Sequence, residues 1–198
     1  MDQADLAARW RQYYQALYQV AVALGQSLDP RAVLTALVRG VVQALGLRAA
    51  SIRLLAPGGT LETVAVEGLS AEYLTKGPVD LAHSLIDREA IETRRPVQVA
   101  DVTHDPRFEY PEAARREGIV SALFVPLVAH DRPLGVLRAY TGRPHRFSED
   151  EIELLTALAN LGALALANAR LYQVCVREQQ LTAEALWNFR LPDEWLGE

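Results

Sequence analysis

The charged residue whose setting says most is Arg53, in the run Ala50-Ser51-Ile52-Arg53-Leu54-Leu55. Successive side chains of a strand alternate between its faces, so Ser51, Arg53 and Leu55 share one face and Ala50, Ile52 and Leu54 the other. The more apolar face should pack on helices. Arg53 then points the opposite way, where a guanidinium could hold a carboxylate or phosphate bidentately. An ion pair with an acid such as Asp101, or a snorkelled edge position, would account for the same residue. Arg138, on a later strand, carries the same ambiguity.

Other candidate chemistry is sparse. The four histidines, His83, His104, His130 and His145, show no paired metal-ligand spacing, so no metal site is expected and haem ligation is disfavoured. His130 and His145 fall at predicted turns, whereas His83 and His104 fall in a long irregular stretch. A single cysteine, Cys175, excludes an intrachain disulfide and a CxxC zinc site. Nucleophile-elbow, phosphate-loop and zinc-protease motifs are absent from the sequence. The acids Asp101, Asp105 and Glu109 surround Pro106 and read as turn formers. No catalytic residue is assigned, and the chain is expected not to be an enzyme.

The elements that must position these groups follow from periodicity. The chain has 198 residues and a net charge of −5, from 20 basic and 25 acidic residues. That balance gives no electrostatic case for nucleic acid or an anionic membrane. No run of 18 or so uninterrupted apolar residues suggests a membrane span, and a reducing cytosol is the expected compartment. A first helix, about Asp5 to Gln26, carries Leu6, Trp10, Tyr13, Leu17, Val20 and Leu24 at heptad spacing, a seam that wants a partner helix. Asp29-Pro30 opens a second helix, stopped at Gly46. Two hairpins are expected, one turning at Ala56-Pro57-Gly58-Gly59 and one at Ala129-His130-Asp131-Arg132. Between them lie a short helix at Ser84 to Thr93, a strand at Val97 to Val102, and a stretch from Asp101 to Arg116 with loop residues His104, Asp105, Pro106 and Pro111, then a second short helix. Ser148 and Glu151 form a capping box, with Phe147 as staple, for a helix from Ile152 to Tyr172. The pattern weakens after Gln173. The predicted class is α+β: an antiparallel central sheet of about five to six strands, with the N- and C-terminal helices on one face. A loop and short-helix insertion covers the other.

The residues, taken in order, resemble the GAF domain family. The resemblance is carried by Ala50-Ser51-Ile52-Arg53-Leu54-Leu55, Glu67-Gly68-Leu69, Arg94-Arg95-Pro96-Val97, and Asp101-Val102 with Asp105-Pro106-Arg107-Phe108. It continues through Glu117-Gly118-Ile119-Val120-Ser121, Val125-Pro126-Leu127, Gly135-Val136-Leu137, the stretch from Phe147 to Leu155, and Asn168-Ala169-Arg170-Leu171-Tyr172. It implies a PAS-like cytosolic sensor and dimerisation module, with a small ligand held between sheet and insertion. The implied organisation is an N-terminal helix over 1–28, the domain over 29–172 and a helical extension with an aromatic tail over 173–198. Candidate pocket residues are Ser51, Arg53, His83, Ser84, Asp101, His104, Phe108, Phe124 and Thr141.

Subfamily chemistry narrows this. A thioether-linked bilin needs a cysteine in the insertion, and Cys175 lies after it. The family's sulfoxide-reductase branch needs several cysteines. The cyclic-nucleotide motif is absent from Thr141-Gly142-Arg143-Pro144-His145-Arg146-Phe147. The glycine-rich loop usual in the family reads Val79-Asp80-Leu81-Ala82-His83-Ser84 here, so side chains stand where backbone would approach a ligand. The ligand is therefore unassigned. A parallel homodimer is expected through Leu6, Trp10, Tyr13, Leu17, Leu24, Leu155, Ala159, Gly162 and Leu166; an intrachain helix pair on the sheet is the alternative. The aromatic tail, Leu186 to Leu196, would dock a signalling partner protein or fold back on the domain.

Overall fold

Strand alternation divides this chain into two cores, one on each face of a single sheet. A computed structural model describes residues 3–26, 29–75 and 79–187. The order is α1 (Gln3–Gln26), α2 (Pro30–Leu45), β1 (Ala49–Leu55), β2 (Leu61–Glu67), α3 (Ala71–Leu74), α4 (Leu85–Thr93), β3 (Val97–Val99), α5 (Pro111–Glu117), β4 (Ser121–Ala129), β5 (Arg132–Thr141) and α6 (Glu149–Trp187). Among the described residues the strands form one five-stranded antiparallel sheet, ordered β2-β1-β5-β4-β3. The fold class is the one expected.

Ala50 and Ile52 of β1, Leu123, Val125 and Leu127 of β4, and Leu137 and Ala139 of β5 face the helix layer. There they pack on Leu34, Leu37, Val38 and Val41 of α2 and Leu155, Leu158 and Ala159 of α6. Their alternates, Ala122, Phe124, Val136 and Tyr140, face the insertion and meet Tyr73, Val79, Ile86, Ala90 and Ile119. The helix boundaries have local causes. Asp29 Oδ1 accepts from the Arg31 amide at 2.9 Å, and Gly46 ends α2 in the left-handed region. The Ser148 amide donates to Glu151 Oε2 at 2.7 Å while the Glu151 amide donates to Ser148 Oγ at 3.3 Å, the reciprocal box the sequence predicts. The β4–β5 turn places His130 and Asp131 at φ of 49° and 59°, the conformation of a two-residue hairpin.

Three details differ from the sequence reading. β3 stops at Val99 rather than Val102, and the single-turn α3 was not foreseen. α6 runs unbroken for 39 residues to Trp187. Beyond Gln173 it is built from good helix formers such as Glu, Gln, Leu, Ala and Arg, so it propagates although none of the described side chains from Val174 to Thr182 is buried. Most of the aromatic tail, from Asn188 onward, lies outside the described residues. By length and composition Glu149–Thr182 could cross a membrane, and 44% of its most apolar window is buried within the protein.

Candidate ligand-binding site

The site is built on one row of side chains crossing the sheet. Ser51 on β1 stands opposite Arg138 on β5, which stands opposite Phe124 on β4. All three point toward the insertion. The Arg138 guanidinium lies 5.4 Å from the Phe124 ring centroid, and Phe108 meets that ring edge-on at 6.4 Å. Above Arg138 sits Asp87, from the inward side of α4. Arg138 Nε donates to Asp87 Oδ1 at 2.8 Å, and Arg138 Nη2 donates to Asp87 Oδ2. The Ser84 hydroxyl also donates to Asp87 Oδ2. Asp87 is 1% exposed and Arg138 4%. Burial works against the Arg138 charge, but Asp87 more than offsets it and the pKa rises above the ordinary arginine value.

Arg53 is the other guanidinium on this face, one diagonal step from Arg138. It is 4% exposed, and its Nε is buried without a hydrogen-bond partner. Burial first, and then the Arg138 charge, push its pKa down. Ser51 Oγ and Tyr140 Oη, on the same face, are also buried without a partner at hydrogen-bonding geometry. Tyr140 packs against Tyr73 with ring centroids 6.3 Å apart. Burial and this neighbour raise the Tyr73 pKa. Gly135 lets β1 and β5 approach beside Arg53: a Cβ there would lie 2.1 Å from the Arg53 carbonyl oxygen. On the other side of β1, β2 carries an extra residue, Val64, opposite the Ile52–Arg53 step.

A narrow cleft of about 20 Å3 opens on this face beside the Asp87–Arg138 pair, walled by Tyr73, Asp87, Phe108, Tyr110, Phe124 and Arg138; Ser51, Arg53 and Tyr140 lie on the same sheet face outside its lining. The cleft has room for about one water molecule. Two brackets fix its walls. Arg107 reaches Glu89 Oε2 on α4 at 2.7 Å and Asp105 Oδ2 at 2.7 Å, pinning the loop that carries Phe108 and Tyr110. Glu117 at the end of α5 is buried; it accepts from Arg48 Nη2 at 3.3 Å and from the Ser70 amide at 3.0 Å, with Ser70 Oγ as a third donor. This ties α3, which carries Tyr73, to α5 and to the residue before β1.

The structure therefore brings together Ser51, Arg53, Ser84, Phe108 and Phe124 from the expected set, and leaves four others elsewhere. His83 is exposed and does not line the cleft. Asp101 and His104 pair with each other, Oδ2 to Nδ1 at 2.8 Å, and Asp101 also takes the Thr103 amide and hydroxyl. Asp101 is thus spent within its own loop and is no partner for Arg53. Thr141, at the end of β5, donates to the Arg143 carbonyl at 2.8 Å. The sequence reading missed Asp87, Tyr73, Tyr110 and Tyr140. Two had a signal: Asp87 precedes Ala90 and Ile91 at helical spacing, an acid on an apolar face, and Tyr140 follows Arg138 by one strand period.

The proposed dimer residues fall into different surroundings. Leu155, Ala159 and Leu166 are buried in the chain's own helix layer, and a Cβ on Gly162 would come within 2.7 Å of Leu37 Cδ1. Tyr13 is likewise buried in this layer, and Leu17 packs partly against it. These residues seal an intrachain helix layer, so a contact between copies would need other side chains. Trp10 is exposed; the side chains of Leu6 and Leu24 lie outside the described residues. Large exposed apolar groups include Tyr14, Tyr18, Leu171, Tyr172, Val174 and Leu181.

Comparison with known proteins adds a family and a set of similar folds. The family model described as GAF domain matches residues 27–167. No protein of curated function matches the sequence significantly. The GAF domain from a phosphoenolpyruvate-protein phosphotransferase of Coxiella burnetii is similar at TM-score 0.73 and 22% identity, over 83% of this chain and 98% of that one. Free methionine-R-sulfoxide reductase from Neisseria meningitidis is similar at TM-score 0.69 and 21% identity, over 87% and 95%. The phycocyanobilin-bound GAF domain of a cyanobacterial phytochrome is similar at 0.67 and 20%, over 81% and 96%.

Proposed function

The chain belongs to the GAF domain family, and from that premise we propose that it is a non-catalytic sensor module binding a small molecule on the insertion face of its sheet. The observation that carries the reading is the group of buried polar atoms there without a partner at full hydrogen-bonding geometry, Ser51 Oγ, Arg53 Nε and Tyr140 Oη. Buried polar groups are nearly always satisfied by a partner, and leaving one unmet costs about 1–3 kcal/mol. Three on one face are what a site looks like when a guest supplies the missing partners. The cleft is narrow, so a guest larger than a water molecule must displace the Phe108–Tyr110 loop. That loop is held by the Arg107 bracket to α4, and α4 is held to β5 by Asp87. Occupancy would then bias the packing of β5 against the helix layer, provided the guest prefers one packing.

The output in this reading is a second copy of the chain, met through α1 and the exposed length of α6. Tyr14 and Tyr18 on α1, and Leu171, Tyr172, Val174 and Leu181 on α6, are apolar or aromatic groups that a helical bundle would cover. The cleft volume favours a second reading, a structural dimerisation module whose pocket stays filled by Tyr73 and Phe108.

Native mass spectrometry of freshly purified protein separates the two. A retained small molecule, or stoichiometric uptake of one from a metabolite extract, is expected. A dimer that neither retains nor takes up any guest would leave the structural module standing instead.

A further inference from the structure

Building on the sensor reading above, we infer that the guest is a carboxylate, held by the Arg53 guanidinium with the hydroxyls of Ser51 and Tyr140. Three observations meet here. First, the atoms without a partner at full hydrogen-bonding geometry are all donors or can act as donors: Arg53 Nε–H, Ser51 O–H and Tyr140 O–H, the last also within interacting reach of Tyr73 and Arg138. A guest that satisfies them together must present acceptors, and a carboxylate presents two oxygens with about four lone-pair directions.

Second, the buried acceptor on this face is already committed. Asp87 takes both prongs of Arg138 and the Ser84 hydroxyl, and it acts on Arg53 through its charge, with no hydrogen bond to the Arg53 guanidinium. Counting only the charges buried nine-tenths or more around this row, two guanidiniums on adjacent strands share the one carboxylate of Asp87, a surplus of one positive charge. An unpaired buried cation is expensive. A monoanion cancels it; a phosphate dianion would replace it with a buried negative surplus. Arg107, beside the cleft, is matched by two carboxylates, Asp105 and Glu89, in a partly solvent-exposed cluster with one negative charge in excess, separate from the buried Asp87–Arg138 pair. Glu109, on the same loop as Phe108, interacts with the neighbouring Tyr110 hydroxyl, whose pKa is pushed up by burial and then by the Glu109 charge.

Third, the cleft by Arg138, one diagonal step from Arg53, suits the rest of such a molecule. Phe108, Phe124, Tyr73 and Tyr110 give the adjoining cleft aromatic walls, which take an apolar or ring-bearing body.

The test is thermal denaturation and calorimetry of the full chain with acetate, benzoate, inorganic phosphate and the neutral isosteres acetamide and benzamide. The carboxylates should raise the melting temperature in a concentration-dependent way, while the amides and phosphate leave it unchanged. Arg53→Met should weaken benzoate binding roughly 30-fold or more, the cost of truncating one partner of a buried charged pair. Without any ligand, Arg53→Met should itself melt higher than the parent, because an apolar side chain replaces an unpaired charge. Tyr140→Phe keeps the ring and should weaken benzoate binding while leaving the fold intact. Preference for phosphate, or equal binding of benzamide, would overturn the carboxylate assignment and leave the sensor reading in place. So would a neutral guest recovered by native mass spectrometry, or an Arg53→Met protein that melts lower. Silence of every probe together with no retained guest would remove the sensor reading itself.

Discussion

Arg138 on β5 and Asp87 on α4 meet as a two-pronged ion pair sealed from solvent, with Nε to Oδ1 at 2.8 Å. The pair joins the insertion to the sheet at one point, 51 residues apart in sequence. Its strength is asymmetric. As a pair it repays the removal of two charges from water; with one partner gone, the other is left buried and bare. Asp87→Ala should therefore cost about 3–5 kcal/mol in urea denaturation. Replacing both, as Asp87→Leu with Arg138→Met, should recover most of that loss. A double variant as unstable as Asp87→Ala would show that the pair acts through something other than charge.

Gly135 is a positional requirement of the same strand pair. Any Cβ there would strike the Arg53 carbonyl, a backbone atom that cannot rotate away. Gly135→Ala should destabilise the fold by about 1–3 kcal/mol or more, as overpacking does. It should also shift the amide resonances of Arg53 and Leu54 ahead of those in β3. Unchanged stability would mean that β1 and β5 can separate freely at this point.

Acid should reveal the Asp101 loop. The Thr103 hydroxyl, the His104 ring and the Thr103 amide hold the Asp101 carboxylate at a pKa of about 2, against about 3.9 in an unfolded chain. A depressed folded-state value contributes stability that is complete above about pH 4 and is lost as pH falls toward 2. Asp101→Asn should flatten the stability curve in that window and leave it unaltered near neutrality. A carboxyl NMR titration of Asp101 with its midpoint near 4 would contradict this.

Glu109 puts a negative charge in the wall of the cleft that would take the guest's body. Glu109→Gln should tighten benzoate binding, and the gain should shrink at high ionic strength. Calorimetry showing weaker binding would instead make Glu109 part of the recognition.

The association surface is testable with charges. Leu171→Glu with Tyr172→Glu alters exposed positions, so folding should be untouched while a dimer is lost in sedimentation equilibrium. Leu155→Glu, by contrast, should unfold the single chain, since that side chain is fully buried. A parent protein that sediments as a monomer at every concentration would end the dimer proposal.

The fold was readable because its signals are local and periodic. Alternation in Ala50 to Leu55 assigns both faces of β1, and the Ser148–Glu151 box starts α6 where it does. The site was half readable for the same reason: alternation places Ser51, Arg53 and Arg138 on one face. It gives no means of choosing their partners. Asp87 is 51 residues from Arg138 and Asp101 is closer in sequence. Only the packing of α4 shows that the more distant acid is the one delivered. The seam on α1 and α6 does not name its partner, because heptad spacing says that a helix wants a neighbour without saying whose. α2, from the same chain, fills most of that want.

One property of β5 has a reach beyond the pocket. Val136, Arg138 and Tyr140 look into one core, and Leu137 and Ala139 into the other. A strand has no slack between successive residues. Any torsion that reseats Arg138 must therefore tilt Leu137 and Ala139 beneath the rods on the far side. News of an event above the sheet needs no relay to reach its underside, because the messenger and the wall are the same five residues.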